Sequence, residues 1–143
     1  MLTLKRLLER KGRNVISIGP DEPVLEAVRS MADRHVGALM VLDGGGHVVG
    51  IVSERDYARK VVLQGRSSAD TPIRDIMTSS VISITLDASV HDAMRVMTER
   101  RIRHLPVMAG DRLEGIVSIG DLVKAVIEEQ QAEIDSLQAY IHS

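Results

Sequence analysis

The sequence predicts an α/β fold made of two β-α-β-β-α repeats related by a pseudo-twofold, with flanking helices at the N and C termini. Three observations lead there. The heptad GIVSERD at Gly50–Asp56 returns as GIVSIGD at Gly115–Asp121. Laying Val15 over Val81 brings the whole segment before each heptad into register, with one gap in the Gly44–Gly46 turn. Within each copy the apolar spacing switches between strand and helix periods. A long period present only twice fits two facing units better than a solenoid, which needs three or more.

The elements follow in order. VISI at Val15–Ile18 and again at Val81–Ile84 reads as a short buried strand. Val24, Ala27, Val28 and Met31 recur at helical spacing, as do Val90, Ala93, Met94 and Met97. ALMVL and LPVM read as buried strands, DGGG and AGD as hairpin turns able to supply positive φ, and VVGIV and LEGIV as the returning strands. A helix begins after each heptad serine. Between the copies, Gly65 stops one helix, and Thr71 before Pro72 caps a short new one through IRDIM. After Leu122 a helix continues with Ile127, Ile134, Leu137 and Ile141 spaced by sevens, threes and fours, Gln130 filling one seam position. The expected organisation is repeat 1 with the N-terminal helix and linker over 1–70, repeat 2 over 71–126, and a C-terminal helix extension over 127–143.

At 143 residues the chain fits one compact unit, long enough to bury its apolar surface without disulfides or metals. A net charge of −2, with no run of five like charges, argues against a general nucleic-acid or membrane-surface binder. Tyr57 and Tyr140 are the only aromatics, so base-stacking platforms are missing. The absence of cysteine removes thiolate metal sites and Cys nucleophiles and suits a reducing compartment, with cytoplasm the default. MLTLKRLLERKG alternates apolar and charged residues, unlike a signal peptide or a membrane span.

The heptad supports two readings. In the first, Ser and Asp form a capping box, Ser at the N-cap and Asp at N3, and do nothing else. In the second, the same helix N-terminus at a strand's carboxyl end faces a crevice. Its Asp is then a bidentate acceptor suited to the two hydroxyls of a ribose, but repelled by phosphate. Something basic must therefore sit across the crevice. Arg103 and His104, before Leu105–Pro106–Val107, are the candidates, against ordinary roles as a solvated charge and a surface histidine. Repeat 1 has Gly37 and Ala38 at that position.

DIMT at Asp75–Thr78, RHLPV at Arg103–Val107 and the two GIVSxxD heptads together resemble a pair of cystathionine-β-synthase-type (CBS) domains, a Bateman module. The likeness runs from about Val15 to Val126, and YARKVVLQGRSS with IRHLPV further resembles the small stand-alone CBS-pair proteins. It implies two clefts between the paired domains that bind AMP, ADP, ATP, NAD or S-adenosylmethionine without chemistry. Carried over by residue, one cleft would use Asp56 for ribose, Ser53 beside it, Val81 and Ile82 around adenine, and Arg103 with His104 toward phosphate. The other would use Asp121 and Ser118 with Ile16, Gly37 and Ala38, Gly120 allowing a ligand close to the helix start. The family often has Thr where Ser53 and Ser118 stand, and Pro where Met40 sits.

The leading functional expectation is a regulatory adenine-nucleotide sensor, non-catalytic, a homodimer acting in trans on a protein partner not identifiable from the sequence. The alternative is a structural or interaction dimer whose nucleotide sites are vestigial. An enzyme has little support, because no nucleophile elbow, metal-ligand cluster or P-loop accompanies His104, Asp56 and Asp121. Neither a nucleic acid nor a membrane is expected as partner.

Overall fold

The computed structural model describes residues 2–142. Its elements run α1 (Leu4–Lys11), β1 (Ser17–Ile18), α2 (Val24–Arg34), β2 (Ala38–Leu42), β3 (Val48–Ser53), α3 (Glu54–Tyr57), β4 (Ile84–Thr85), α4 (Val90–Arg100), β5 (His104–Ala109), β6 (Arg112–Ser118) and α5 (Ile119–His142). Helix α3 widens into a π-helical turn over Ala58–Val62, and a 3-10 turn spans Ile73–Asp75. Two three-stranded sheets result, ordered β1-β2-β3 and β4-β5-β6, each with one parallel and one antiparallel pair. The α/β repeat architecture is therefore as the sequence predicts.

The chain divides into two compact units rather than the single one its length allows. Asn14–Ile82 forms one, and the described residues on either side, through Arg13 and from Ser83, form the other. In the first, Val24, Ala27 and Met31 of α2 pack with Leu39, Val41 and Val52 of the sheet and with Ile73 and Ile76 of the linker. Helical spacing aims one face of α2 at a strand-spaced apolar surface, as the period switch requires.

The two sheets repeat even in their irregularities. Val41 pairs with Gly50 and Leu42 with Val48, leaving Val49 as a bulge. Val107 pairs with Gly115 and Met108 with Leu113, leaving Glu114 in the same position. The first strand of each repeat is shorter than VISI suggests, because only two residues pair in each. Met40 donates its N–H to the Ile16 carbonyl at 3.2 Å. Its counterpart Pro106 has no N–H to give Ile82, so the strand of repeat 2 starts later, at Ile84.

The N-terminal segment, grouped from the sequence with repeat 1, serves repeat 2. Val90 N donates to the Leu2 carbonyl, while Leu4 N and Lys5 N donate to the Ala88 and Leu86 carbonyls, at 2.9–3.0 Å. The linker does the same for repeat 1. Val24 N donates to the Thr71 carbonyl, and Ile73 N and Arg74 N donate to the Glu22 and Pro20 carbonyls, at 2.8–2.9 Å. Leu4, Leu7 and Leu8 thus correspond to Ile73, Ile76 and Met77. The reason is physical: each repeat helix needs its orphan N–H groups satisfied and its sheet edge covered, and one tethered arm does both.

This also corrects the role of Thr71. The N-cap of the 3-10 turn is Pro72 without a side-chain bond, and the buried Thr71 hydroxyl instead donates to the Ser67 carbonyl at 2.6 Å. Its own carbonyl caps α2.

Helix α5 is continuous from the second heptad onward. Leu122 and Ala125 are buried, whereas Ile127, Ile134, Leu137 and Ile141 are exposed. The expected extension over 127–143 is helical through His142, Ser143 lying outside the described residues, as Met1 does at the other end.

Candidate functional site: the two serine–aspartate helix starts

Each heptad ends a sheet hairpin and starts a helix, so its polar residues are placed by backbone geometry. At the first, Ser53 is the N-cap of α3 and Asp56 completes the capping box. Asp56 Oδ2 accepts from Ser53 N at 3.0 Å and Ser53 Oγ at 3.1 Å, while Asp56 N donates to Ser53 Oγ at 3.2 Å. Asp56 Oδ1 faces Lys60 Nζ at 3.1 Å, and Thr78 Oγ1 approaches it at 3.5 Å. Lys60 also donates to the Ile76 carbonyl at 2.9 Å.

The second heptad keeps the box with different company. Asp121 Oδ2 accepts from Ser118 N at 2.8 Å, and Asp121 N donates to Ser118 Oγ at 3.1 Å. Lys11 of α1 lies 2.8 Å from the same Oδ2 and donates to the Ile116 carbonyl at 2.5 Å. Among the described residues, Asp121 Oδ1 and the Ser118 hydroxyl proton carry no further bond. Gly120 is exposed, and an added Cβ would meet only Ser118 Oγ at 3.6 Å, so packing does not require glycine there.

The remaining predicted residues fall within one unit or the other. Gly37 and Ala38 adjoin the first heptad: Glu54 N donates to the Gly37 carbonyl at 3.0 Å, and Ala38 pairs with Ser53. Arg103 and His104 adjoin the second in the same way, with Ile119 N on the Arg103 carbonyl at 2.9 Å and His104 opposite Ser118. Arg103 is exposed, and its guanidinium forms no ion pair among the described residues. Ile16, Val81 and Ile82 are half-buried in the first unit. The heptad glycines Gly50 and Gly115 have a packing reason. A Cβ on Gly50 would lie 2.7 Å from Met77 Sδ, and one on Gly115 2.9 Å from Leu8 Cδ2.

Burial works to raise the Asp121 pKa, but the Lys11 ammonium and the Ser118 N–H outweigh it and hold the carboxyl below the ordinary range. Glu114 is held down as well, first by hydrogen bonds from Arg112, against burial, and then by Arg13. A depressed folded-state pKa stabilises the protein above the unfolded value and loses that contribution as pH falls through the folded value. Lys11→Met is therefore expected to lower the melting temperature at pH 7 and to lose that effect progressively as pH falls below the ordinary aspartate value of about 4. The part that survives acid belongs to the Ile116 carbonyl contact. Calorimetric scans from about pH 7 to about pH 2.5 check this, and an unchanged difference across that range would show that the ion pair contributes nothing.

Two repeated three-stranded sheets, each followed by a serine–aspartate helix start, define a tandem α/β repeat protein, and the family comparison gives it a name. The CBS domain model matches residues 3–63 and 73–128, and the chain belongs to the CBS domain family. It is 42% identical over 147 residues to the CBS domain-containing protein CBSX3, mitochondrial, of Arabidopsis thaliana, covering 97% of this chain and 71% of that one. A solved protein with CBS domains from Burkholderia ambifaria MC40-6 superposes with a TM-score of 0.85 at 46% identity, covering 90% of this chain and 96% of the other. The CBS domain pair of protein MJ0100, solved with 5-methylthioadenosine and S-adenosyl-L-methionine, gives a TM-score of 0.80 at 25% identity, over 90% and 98% of the two chains. No described helix is long and apolar enough to cross a membrane.

Proposed function

We propose that this chain is a regulatory sensor that binds an adenosine ligand, Asp56 and Asp121 accepting the ribose hydroxyls. The observation that carries the reading is the uncommitted polar set at the second heptad: Asp121 Oδ1, the Ser118 hydroxyl and the open space beside Gly120. A carboxylate oxygen and a spare hydroxyl at a helix start suit a vicinal diol. Arg103, without an ion pair among the described residues, supports a phosphate contact, His104 stands next to it, and Val81 and Ile82 supply apolar surface for adenine. The adenosine ligands of the MJ0100 pair support the same ligand class. AMP, ADP, ATP and NAD fit an arginine facing phosphate better than S-adenosylmethionine does. No catalytic step is assigned to it. The ligand shifts the balance between two states of the protein and so changes how a protein partner is bound in trans, in a cytoplasmic setting. The exposed face of α5 supports a homodimer.

A second reading has its own observation. Both capping boxes are complete without ligand, which suits an interaction dimer whose heptads only start helices. Calorimetric titration of AMP, ATP, NAD and S-adenosylmethionine separates the two. Under the sensor reading, Asp56→Ala and Asp121→Ala each remove one class of site. Under the capping reading they cost about 0.5–2 kcal/mol of stability and no ligand heat appears with any chain.

A further inference from the structure

The two heptad carboxylates are unequal in a way their matching sequences conceal. We propose that the sites fill in order, Asp121 first, and that Lys60 is a latch holding the Asp56 site back. The inference rests on the ribose reading above and adds to it a regulatory difference between the two sites.

An ionised carboxylate offers about four acceptor positions. At Asp56 all are engaged: Ser53 N and Ser53 Oγ on Oδ2, Lys60 Nζ and the more distant Thr78 Oγ1 on Oδ1. A diol arriving there must displace Lys60. At Asp121 both donors, Ser118 N and Lys11 Nζ, converge on Oδ2, so Oδ1 receives a diol while Lys11 stays in place. Exposure agrees with this order, the Asp56 side chain being 13% exposed against 26% for Asp121. The serines differ in the same sense. Ser53 Oγ already donates to its aspartate, whereas the Ser118 hydroxyl proton is uncommitted among the described residues.

The latch has a chemical consequence. A neutral adenosine that displaces Lys60 leaves the ammonium without a counter-ion. A ligand carrying phosphate brings a new one within its own structure, so the Asp56 site discriminates for phosphorylated adenosine ligands. Lys60 reaches its position through the π-helical turn after α3, where Lys60 follows Asp56 by one turn, and it is steadied by the Ile76 carbonyl of the linker. No equivalent lysine follows Asp121, where Ala125 occupies the i+4 place.

The test is calorimetric titration of the full chain with adenosine and, separately, with AMP. The expected result for wild type is a tighter phase lost in Asp121→Ala and a weaker one lost in Asp56→Ala. Lys60→Gln, which keeps a donor for the Ile76 carbonyl, is expected to tighten adenosine at the weaker phase by roughly two- to fivefold, the scale of a part-exposed ion pair. It should weaken AMP relative to adenosine there, and Lys60→Arg should behave as wild type. Loss of the tighter phase in Asp56→Ala, or adenosine binding unmoved by Lys60→Gln, overturns the latch and leaves the ribose reading standing. No binding of either ligand to wild type removes both.

Discussion

Gly115→Ala is expected to destabilise the protein by about 1–3 kcal/mol and Leu8→Ala by about 2–5 kcal/mol, yet the double variant by clearly less than their sum. The three nearest atoms to a Cβ on Gly115 all belong to the Leu8 side chain, at 2.9, 3.0 and 3.5 Å. Leu8 is fully buried, so its truncation leaves a cavity, and the methyl group added at position 115 would move into that space. A coupling of about 0.5–3 kcal/mol in urea melts is the signature of two side chains competing for one volume. Repeat 1 supplies the contrast. A Cβ on Gly50 meets Met77 Sδ and Cγ but also the Thr78 carbonyl at 3.0 Å, and Thr78 is hydrogen-bonded through its backbone to Ile51 in both directions. Met77→Ala should therefore rescue Gly50→Ala only in part. Strict additivity at Leu8 and Gly115 would mean that α1 does not pack on β6 in solution.

That pair also shows where the sequence was legible and where it was not. The repeat from Val15 and Val81 onward is carried by side chains that recur in kind, so the succession of strands and helices along the chain and the hairpins follow from pattern alone. The arm that covers each sheet recurs only in polarity: Leu4, Lys5, Leu7 and Leu8 against Ile73, Arg74, Ile76 and Met77, with no identity among them. It also follows a different register from the rest of the repeat, since what it must match is a surface and not a sequence. The strand of repeat 2 begins late because Pro106 lacks one hydrogen, an effect visible only once Met40 is seen donating to Ile16. At the heptads the capping residues were readable from S-x-x-D, and Lys60 stands at i+4 to Asp56, a spacing that local pattern exposes. Lys11 lies far from Asp121 in the chain, and only the folding of α1 onto repeat 2 joins them.

Under the proposed homodimer, replacing both Ile134 and Leu137 by Asp is expected to leave a monomer with little change in the melting of the rest of the chain. Both side chains are exposed, at 48% and 62%, so neither contributes to the core of its own chain. Counted in heptads, Ile127, Ile134 and Ile141 take the a positions of α5, and Val123, Gln130 and Leu137 the d positions. Branched Ile at a with Leu at d favours two parallel strands, and a single polar residue in the seam fixes their register. Glu128, Glu129 and Asp135 fall at outer positions, and Glu133 at g would meet the uncharged Gln138 of a parallel second copy, so no like charges are forced together. Burying the replaced side chains on two helices is worth at least about 3 kcal/mol, and charge in the seam adds repulsion, so Kd should rise more than about a hundredfold. Gln130→Leu should act in the opposite direction and tighten association. Sedimentation at tens of micromolar reads both. A wild-type chain that sediments as a monomer, or a doubly substituted one that keeps its dimer mass, would take the seam out of the interface and leave α5 to a different partner.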